Sequence, residues 1–519
     1  MNKTQSHQGI KKLMKKIAFA GTDGRTLLCA QVVSTATSET YKEGFEAVVV
    51  RGTPAMPLFV QIMNWPVRFV LTKSNSIQDY SKAIIQALEE NRIDYVLPMP
   101  EALLFEGLVD AVDAAGFGDR IIGLDQQGAF IERDKIKCKM LCEKAGIPVA
   151  PSWEEVDTKN YKDVLRTSLA FIDQFGGAVL KFPYSAGGKG ARIILNSWEI
   201  REVYDTLFKD YKMIYGQMFG KKAKWPLLIE SLMSGVEISF TILVDRVGNF
   251  QILPTAMDYP ERFEGPASKS NPITGGIGAI SPHPMETPDL IEMAGEVIAK
   301  PLIKEMKRLD ILRPCVLYPG CFVSLDETKR PTSIRICEIN IRPGEPEAQP
   351  IARRLRNFGA LIKATLEGKL NEVQPEVRSD QLSICFALVT GPGGPDGQKG
   401  YPWSCTKGEP LEIDFNYLKR KGIQIIPSAM TYSASENRFK SDGTRVAYLN
   451  ANGTVKKNEA RGEVAERLRK KLITAFTSGK VRVIPRENSE GNRLDIRRDI
   501  GFHYLKAAEI FPHGGDAGI

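Results

Sequence analysis

The stretch Arg335-Ile-Cys-Glu-Ile-Asn-Ile-Arg-Pro-Gly-Glu-Pro-Glu-Ala-Gln349 decides more about this protein than any other part of the chain. Glu338, Asn340 and Arg342 alternate in it with isoleucines, and this order predicts a β-strand with one polar and one buried face. A carboxylate and an amide oxygen two residues apart can both reach one Mg²⁺, which prefers hard oxygen ligands and completes its shell with phosphate oxygens and water. Arg342, on the same face, can neutralise charge on a transferred phosphate. An edge strand with a solvated polar face is the alternative for an isolated pattern of this kind, so the rest of the chain has to decide.

A second segment, upstream of this strand, has the features of a lid over phosphates. Lys181 ends an apolar run, and the loop Gly187-Gly188-Lys189-Gly190 follows before a second strand at 191–195. Glycine backbone lets amides come close to phosphates, and the two lysines place positive charge on either side. The spacing differs from that of a P-loop, because a strand and not a helix comes next. A plain hairpin turn is the alternative interpretation.

Two carboxylates follow the lid on predicted strands. Leu227 to Glu230 is predicted to be a buried strand that ends in a carboxylate, and Glu237 lies where a turn leads into the next strand. Both carboxylates could accept hydrogen bonds from an adenine amino group and from ribose hydroxyls. Ordinary carboxylates at strand ends are the alternative.

The order of predicted elements indicates an α/β and α+β multidomain protein. Short apolar strands at 17–21, 47–50, 69–71 and 95–97, with a helix at 77–90, predict a Rossmann-like parallel sheet. Further helices are predicted at 135–144, 158–175, 289–309 and 459–477. We therefore expect an N-terminal α/β domain at 1–133, a central domain at 134–375 with a small lid subdomain at about 153–235, and a C-terminal β-rich domain at 376–519.

Composition restricts the class of protein and its partners. The chain has 519 residues, of which 43% are hydrophobic, so it can bury several cores. Its 8 cysteines form no Cys-x-x-Cys pair, which disfavours a zinc site or a disulfide framework and favours the cytoplasm. The net charge is +8, but the basic residues are interspersed with acidic ones. We expect small-molecule substrates, a monomer or homodimer, and no nucleic-acid or membrane partner.

Taken in order, these motifs resemble those of the ATP-grasp carboxylate-amine ligases, and in particular the phosphoribosylamine-glycine ligase family. The resemblance covers nearly the whole chain and implies that the central domain has the ATP-grasp fold. It rests on the strand-end lysine, the glycine lid, the Leu-Ile-Glu strand, Gly-x-Glu-x-Ser and Glu-x-Asn-x-Arg. Further matching stretches are Pro100 to Leu104, Glu132 to Lys135, Gly146 to Ala150, Thr274 to Ala279, Gly400 to Pro402 and Arg497 to Gly501.

The resemblance implies a reaction and a role for each site residue. ATP would activate glycine as an acyl phosphate, and the amino group of 5-phosphoribosylamine would then attack it. Mg²⁺, or Mn²⁺, would be held by Glu338 and Asn340, and Arg342 would steady the acyl phosphate together with Lys189. The ATP residues it implies are Lys135, Lys181, Gly187, Gly188, Lys189, Gly190, Glu230 and Glu237. The substrate residues it implies are Gly24, Arg25, Pro100, Glu101, Asp258, Thr274, Gly275, Gly276, Glu345 and Glu347.

Departures from the family pattern lie in the substrate loops. Asp23 to Leu28 stands where the family usually has Gly-Gly-Arg-Glu-His-Ala, and Asn271 to Gly278 lacks the family's asparagine before its threonine. Asp258 is followed by Tyr-Pro-Glu in place of His-Lys-Arg, and Glu345 replaces an aspartate. Three hypotheses follow: a divergent phosphoribosylamine-glycine ligase, a related ligase for another carboxylate and amine, or a non-catalytic nucleotide-binding regulator. The complete set of phosphate and metal residues argues against the third.

Overall fold

The first domain is a parallel sheet flanked by helices. The computed structural model describes residues 14–41, 43–184, 191–268, 270–392, 400–405, 407–484, 494–502 and 504. Its first elements are β1 (Lys15–Gly21), α1 (Gly24–Thr35), β2 (Phe45–Arg51), α2 (Met56–Met63), β3 (Val67–Val70), α3 (Ile77–Glu89), β4 (Tyr95–Pro98), α4 (Glu101–Phe105), α5 (Leu108–Ala114) and α6 (Phe130–Arg133). The strand order is β3-β2-β1-β4, and all three pairings are parallel. Because β1 and β4 are neighbours, the loops after them meet at one sheet edge, where ligands bind in such folds.

The lid subdomain is a small antiparallel sheet with its own core. Its elements are α7 (Lys135–Lys144), which leads into it, β5 (Trp153–Asp157), α8 (Tyr161–Phe175), β6 (Ala178–Lys181), β7 (Ala191–Ile194), α9 (Ile200–Phe219) and β8 (Pro226–Ser231). The strand order is β5-β8-β6-β7. Helix α9 packs on this sheet through aromatic rings: Tyr211 stacks on Phe182 at 4.2 Å and Tyr215 on Trp225 at 5.3 Å between centroids. These contacts bury one face of a long amphipathic helix and hold the lid sheet together.

The central sheet carries the strand predicted to bind metal. Its region contains β9 (Val236–Ser239), β10 (Ile242–Val244), β11 (Phe250–Ile252), β12 (Met257–Asp258), β13 (Gly278–Ser281), α10 (Pro288–Ala294), α11 (Lys300–Arg308), β14 (Cys315–Leu325), β15 (Pro331–Asn340), α12 (Ala348–Arg354) and α13 (Phe358–Glu367). The order is β11-β10-β14-β15, and β9 also pairs with β14. The helix predicted at 289–309 is interrupted by a π-helical turn, Gly295–Ala299. Pro301 explains the interruption, because it lacks the amide proton that a regular α-helical bond needs.

A β-bulge interrupts β15 one residue before the predicted metal ligand. Glu338 lies opposite Gly320, and Ile336 lies opposite Cys321, so Cys337 has no residue across from it. The extra residue changes the phase of the alternation. Isoleucines 334 and 336 are buried before the bulge, and 339 and 341 are buried after it. Glu338, Asn340 and Arg342 therefore share the polar side, as the alternation predicted.

The C-terminal region adds two sheets. Its elements are β16 (Gln381–Thr390), β17 (Pro410–Ile413), α14 (Phe415–Arg420), β18 (Ile423–Pro427), β19 (Met430–Ser433), β20 (Arg438–Ser441), β21 (Arg445–Thr454), α15 (Arg461–Thr477), β22 (Val481–Val483) and β23 (Leu494–Asp495). The sheet β12-β13-β16-β21-β18 also takes β23 on β16, and the other has the order β19-β20-β17-β22. Two short strands of the central region thus belong to a C-terminal sheet.

Shared cores connect the three regions. One hydrophobic cluster contains Phe19 of the first sheet together with Phe386 and Leu449 of the C-terminal sheet. A second joins Val48 of the first sheet to Ile339 on β15. The two clusters show that the three regions bury hydrophobic residues against one another.

Within the described residues, none of the helices combines the length and apolar character needed to span a bilayer.

Candidate active site

The polar side of β15 faces a cleft and carries a chain of weak hydrogen bonds. The Asn340 amide donates to Glu338 Oε1 at 3.5 Å, and Arg342 Nη2 donates to Asn340 Oδ1 at 3.4 Å. Burial raises the pKa of Glu338, but the charges of Lys135 and Lys181 outweigh it and hold this pKa below its usual value. Glu338 therefore stays ionised at neutral pH, and its side chain is exposed on the polar side of β15.

The residues of this strand fit a hard divalent cation that has further ligands. Glu338 offers an ionised carboxylate and Asn340 an amide oxygen, the types of ligand that Mg²⁺ prefers. Within the described part of the chain, no group of three or more His, Cys, Asp or Glu side chains could hold a metal ion by itself. A metal here would therefore take its other ligands from phosphate oxygens and water, as Mg²⁺ does beside nucleotides.

Lys181 and Glu230 form the centre of a buried ion-pair group. Lys181 Nζ lies 2.5 Å from Glu230 Oε2, and Lys139 Nζ lies 2.6 Å from Glu230 Oε1. Burial raises the pKa of Glu230, but the two lysines outweigh it and keep this pKa low. Lys181 also donates to Cys337 Sγ at 3.3 Å. Both oxygens of Glu230 thus face lysines, and its contact with adenosine stays a prediction.

Lys139 is a functional candidate that sequence reasoning missed. It lies one helical turn after Lys135 on α7, so the two lysines share a helix face, and this spacing was the available signal. The Lys135 amide donates to the Pro183 carbonyl at 2.8 Å, which joins the start of α7 to the end of the lid strand. Of the predicted lid, residues 187–190 lie outside the described residues, and Lys189 is one of them.

Two carboxylates hold the guanidinium of Arg342. Its Nε lies 3.2 Å from Glu101 Oε2 and 3.5 Å from Glu132 Oε1. Glu132 also accepts a hydrogen bond from the Ile341 amide at 2.8 Å. Burial raises the pKa of Glu132 to about 7, whereas Arg342 and Arg25 outweigh burial at Glu101 and lower its pKa. Glu101 was predicted as a substrate residue, and the structure shows it orienting Arg342.

Arg25, predicted to bind substrate, makes its ion pairs inside the protein. Its Nε lies 3.0 Å from Asp23 Oδ2 and 3.1 Å from Glu345 Oε2, and Nη1 donates to the Pro343 carbonyl. Asp23 also caps α1 by accepting from the Thr26 amide at 3.0 Å. The loop after β1 is thus joined directly to the loop that follows the metal strand. Burial raises the pKa of Glu345 to about 7.

The predicted amino-acid loop passes close to two other segments. Gly276 has φ +89°, and a Cβ there would lie 2.5 Å from Pro346 Cδ and 3.2 Å from Asp258 Oδ1. Only glycine accommodates both this backbone and this approach. Thr274 donates its hydroxyl to the Pro260 carbonyl at 2.8 Å, so it shapes the loop. The Gly275 amide donates to the Tyr401 hydroxyl at 3.3 Å.

Several carboxylates gather beside this loop. Burial and the neighbouring charges of Glu347 and Glu237 raise the pKa of Asp258 well above its usual value. Desolvation by the surrounding protein and the charge of Glu338 raise the pKa of Glu237 to about 7, although part of its side chain is exposed. Glu347 accepts a hydrogen bond from the Tyr318 hydroxyl at 2.8 Å. Because this group has an excess of acidic side chains, it would attract the ammonium group of an amino acid or an amine.

Two residues of β21 complete this side of the site, and sequence reasoning missed both. Arg445 Nη1 donates to the Gly275 carbonyl at 2.6 Å, across 170 positions of sequence. A Cβ on Gly24 would lie 2.5 Å from Tyr448 Cδ2, so the tyrosine ring packs directly on the loop after β1. No local pattern marks either residue, because each contact forms only when the C-terminal sheet docks. Pro100, the last predicted substrate residue, precedes Glu101 at the start of α4.

A lysine-flanked lid sheet beside a strand with a carboxylate, an amide and an arginine is the arrangement of an ATP-grasp ligase. The family model that matches residues 133–348 is described as the phosphoribosylglycinamide synthetase ATP-grasp (A) domain. ATP-grasp ligases in general use ATP and divalent metal ions.

Whole-chain comparisons identify the family. The phosphoribosylamine-glycine ligase of Caldanaerobacter subterraneus subsp. tengcongensis is 30% identical over 400 residues, 76% of this chain and 84% of that protein. That of Listeria innocua is 32% identical over 370 residues, 70% of this chain and 78% of that protein. The fold matches the crystal structure of the Thermotoga maritima phosphoribosylamine-glycine ligase with a TM-score of 0.65 and 22% identity, over 93% of this chain and 100% of that one. The chain belongs to the phosphoribosylamine-glycine ligase family.

Proposed function

We propose that this protein joins glycine to 5-phosphoribosylamine and converts ATP to ADP and phosphate, with glycinamide ribonucleotide as the product. The observation that carries the proposal is the match along at least 70% of the chain to relatives named for this activity. A further relative is named as a bifunctional purine biosynthetic protein of Saccharomyces cerevisiae, which supports a place in purine biosynthesis. We place the reaction in the cytoplasm, with small molecules as the only substrates.

The reaction runs in two displacements. The glycine carboxylate attacks the γ-phosphorus of ATP, ADP leaves, and glycyl phosphate forms. The amine of phosphoribosylamine then attacks the glycyl carbonyl carbon, phosphate leaves, and the new amide loses its extra proton. Glu338 and Asn340 would hold Mg²⁺, or Mn²⁺, which when bound supplies charge neutralisation for the phosphates. Arg342, which lies between Glu101 and Glu132, would face the transferred phosphoryl group.

The other predicted residues divide between ATP and the two substrates. Lys135, Lys181, the lid at 187–190, Glu230 and Glu237 would form the ATP side, and Lys189 would reach the transferred phosphate. Closure of such a lid would exclude water from an acyl phosphate, which otherwise hydrolyses. The substrate side would combine Asp258 and Glu347 for the glycine ammonium group with Thr274, Gly275 and Gly276 around it. Phosphoribosylamine would bind near Gly24, Arg25, Pro100, Glu101 and Glu345.

One observation favours a second candidate, a family member that joins another carboxylate to another amine. Arg25, the cation among the residues proposed to bind phosphoribosylamine, already pairs with Asp23 and Glu345. In this arrangement its charge is neutralised before any substrate phosphate arrives. A substrate amine without a phosphate would suit such a pocket better.

The deciding experiment measures ADP release from Mg-ATP with glycine and freshly generated phosphoribosylamine. Omission of each substrate in turn gives the controls, and a panel of other amino acids and amines tests the second candidate. We expect release that requires both substrates, with glycinamide ribonucleotide found by mass spectrometry. Release only with another acid or amine would replace the proposed substrates. Failure of every combination, with ATP binding retained, would support a regulator instead.

A further inference from the structure

A polar cavity lies away from the candidate active site, where helices α1 and α12 meet the C-terminal sheet. Its volume is about 130 Å³. This exceeds the roughly 30 Å³ that one water molecule occupies in the liquid, so there is room for a small polyatomic ion. The lining residues are Gln31, Val32, Thr35, Ala36, Arg353, Arg378, Gln424 and Asn452. We call this cavity the Arg353–Arg378 pocket.

The two arginines of the pocket lack the carboxylate partners that neighbouring arginines have. Arg353 Nε donates to Asn452 Oδ1 at 2.6 Å, and Arg378 Nη1 donates to the Arg353 carbonyl at 2.9 Å. Neither makes an ion pair with any carboxylate in the described ranges, whereas Arg356 pairs with Glu39 at 2.9 Å and Arg354 with Glu286 at 3.4 Å. Each guanidinium has five N–H donors, so most of the donors remain for another partner.

The charge of the pocket is positive and poorly compensated. Burial, together with the nearby charge of Arg378, lowers the pKa of Arg353 to about 10. Burial and the charge of Arg356 lower the pKa of Arg378 against a smaller opposing effect of the Asp380 carboxylate, which makes no ion pair with Arg378 in the described ranges. Arg353 lies in the last turn of α12, and carbonyl groups at a helix end attract cations. These partial charges are smaller than the two full charges they face, so an anion in the cavity would be favoured electrostatically.

An unpartnered amide also lines the pocket. Gln424 Oε1 is buried and has no hydrogen-bond partner among the residues that the structure describes. A half-turn of this amide would put its NH₂ group in the same position and add donors to those of the two arginines. A buried amide without a partner is costly, so a ligand that satisfies it is favoured.

We propose that the Arg353–Arg378 pocket binds a phosphate-type oxyanion, either inorganic phosphate or the phosphate group of a small metabolite. Two planar guanidinium groups can bind such an oxyanion through paired hydrogen bonds. The proposal is independent of the proposed function, because neither arginine belongs to the candidate active site.

The test is a calorimetric titration of the full-length protein with inorganic phosphate and, separately, with ribose 5-phosphate. Saturating Mg-ADP fills the nucleotide cleft, and chloride at equal ionic strength controls for screening. We expect Arg353→Gln and Arg378→Gln each to weaken binding at least about tenfold, since each removes a charge-assisted hydrogen bond. Arg356→Gln is the matched control, and it should weaken binding far less than either pocket variant, because Arg356 lies outside the pocket lining and already pairs with Glu39.

The outcomes separate the sources of the anion. Much tighter binding of ribose 5-phosphate than of phosphate, weakened in both pocket variants, would assign a phosphate monoester to the pocket. Equal or weaker binding would assign inorganic phosphate. Phosphate binding no stronger than that of chloride, or equal affinity in both pocket variants and the unaltered protein, would overturn the proposal. Melting curves show whether each variant folds, and if one does not, the other decides the question. Turnover is not measured, so failure of the proposed function would leave this result unaffected.

Discussion

Glu338 is a single carboxylate whose ionisation depends on the cations around it. Lys135 and Lys181 lower its pKa against the effect of burial, so it is ready to face a cation at neutral pH. Glu338 also lies next to the bulge at Cys337. The bulge brings the Cys337 thiol and the Glu338 carboxylate to the same lysine, Lys181. The residue thus combines charge, position and access to the cleft.

Replacing Glu338 by glutamine should lower the rate of ADP formation by about a hundredfold to a thousandfold, because an amide keeps the size but removes the charge. Stopped or continuous assays of ADP at saturating Mg-ATP would measure the effect. Glu327→Gln, in the exposed turn between β14 and β15, is the control and should keep full activity. Equal rates for both variants would remove Glu338 from the metal site.

Glu132 predicts a specific dependence of stability on pH. Its pKa is raised from 4.5 to about 7, chiefly by burial, so the folded protein holds this proton more tightly than the unfolded chain. The stabilising contribution is complete below pH 4.5 and is lost as pH rises through about 7. Relative to the unaltered protein, Glu132→Gln should therefore become more stable by about 1–3 kcal/mol across this range.

Thermal melting followed by circular dichroism at a series of pH values measures this difference. Glu101→Gln is the control, because the pKa of Glu101 is lowered and its contribution disappears only as pH falls below the ordinary range. Between pH 4.5 and 7, the melting temperature of Glu101→Gln should change with pH in parallel with that of the unaltered protein. Parallel profiles for Glu132→Gln and the unaltered protein would show that Glu132 titrates normally.

At the scale of elements, the loop at 271–276 is held by glycine where three segments meet. Gly276→Ala should destabilise the protein by about 1–2 kcal/mol through its left-handed backbone, and by about 1–3 kcal/mol more through contact with Pro346. Its Michaelis constant for the amino acid should rise as Asp258 is displaced. Melting temperature and steady-state kinetics measure these effects.

Gly265 provides a control that separates backbone strain from crowding. Its φ is +92°, close to that of Gly276, but a Cβ there would have no atom within 4 Å. Gly265→Ala should therefore show the backbone cost alone and leave the kinetics unchanged. A loss of stability as large as that of Gly276→Ala would mean that close approach to Pro346 is unimportant.

The elements predicted from sequence were those with a clear local period. Helix α7 has the predicted bounds, and the first parallel strands and the lid strands lie within a few residues of theirs. Helix α8 was predicted to begin at residue 158 and begins at Tyr161. Helix α15 was predicted to begin at residue 459 and begins at Arg461. Strand β12, of two residues, is too short to carry a period.

Part of the site could not be predicted for a different reason. The contacts of Glu230 with Lys139 and of Arg445 with Gly275 join distant parts of the chain, and no spacing rule connects them. The bulge at Cys337 is set by pairing with β14 and is invisible in β15 alone. Side chains on one strand face were predictable because alternation is local, whereas their partners depend on how sheets dock.

At the scale of the whole molecule, we propose domains at 1–133, 134–375 and 376–519, with the lid subdomain at about 153–235. The boundary at 375/376 does not mark an independent folding unit, because β13 pairs with β16 across it. A fragment of residues 1–375 would lose this partner and expose core residues that pack on Phe386 and Leu449.

Such a fragment should bind a hydrophobic dye strongly and melt without a cooperative transition, and co-expression with residues 376–519 should restore both properties. Dye fluorescence and calorimetry of the fragment, the pair and the intact chain make the comparison. A fragment that melts as sharply as the intact chain would show that the first 375 residues fold alone.

The division of the cleft between strands and loops has a consequence for how such a protein can change over evolutionary time. Glu338, Asn340 and Lys181 belong to hydrogen-bonded strands, where a shift of one residue would reverse every neighbouring side chain. Asp258 ends a two-residue strand, and Gly276 and Glu345 lie in loops. New substrate preferences can therefore arise by drift in the loops while the energy-coupling chemistry is inherited unaltered, and directed evolution of this scaffold should begin with those loops.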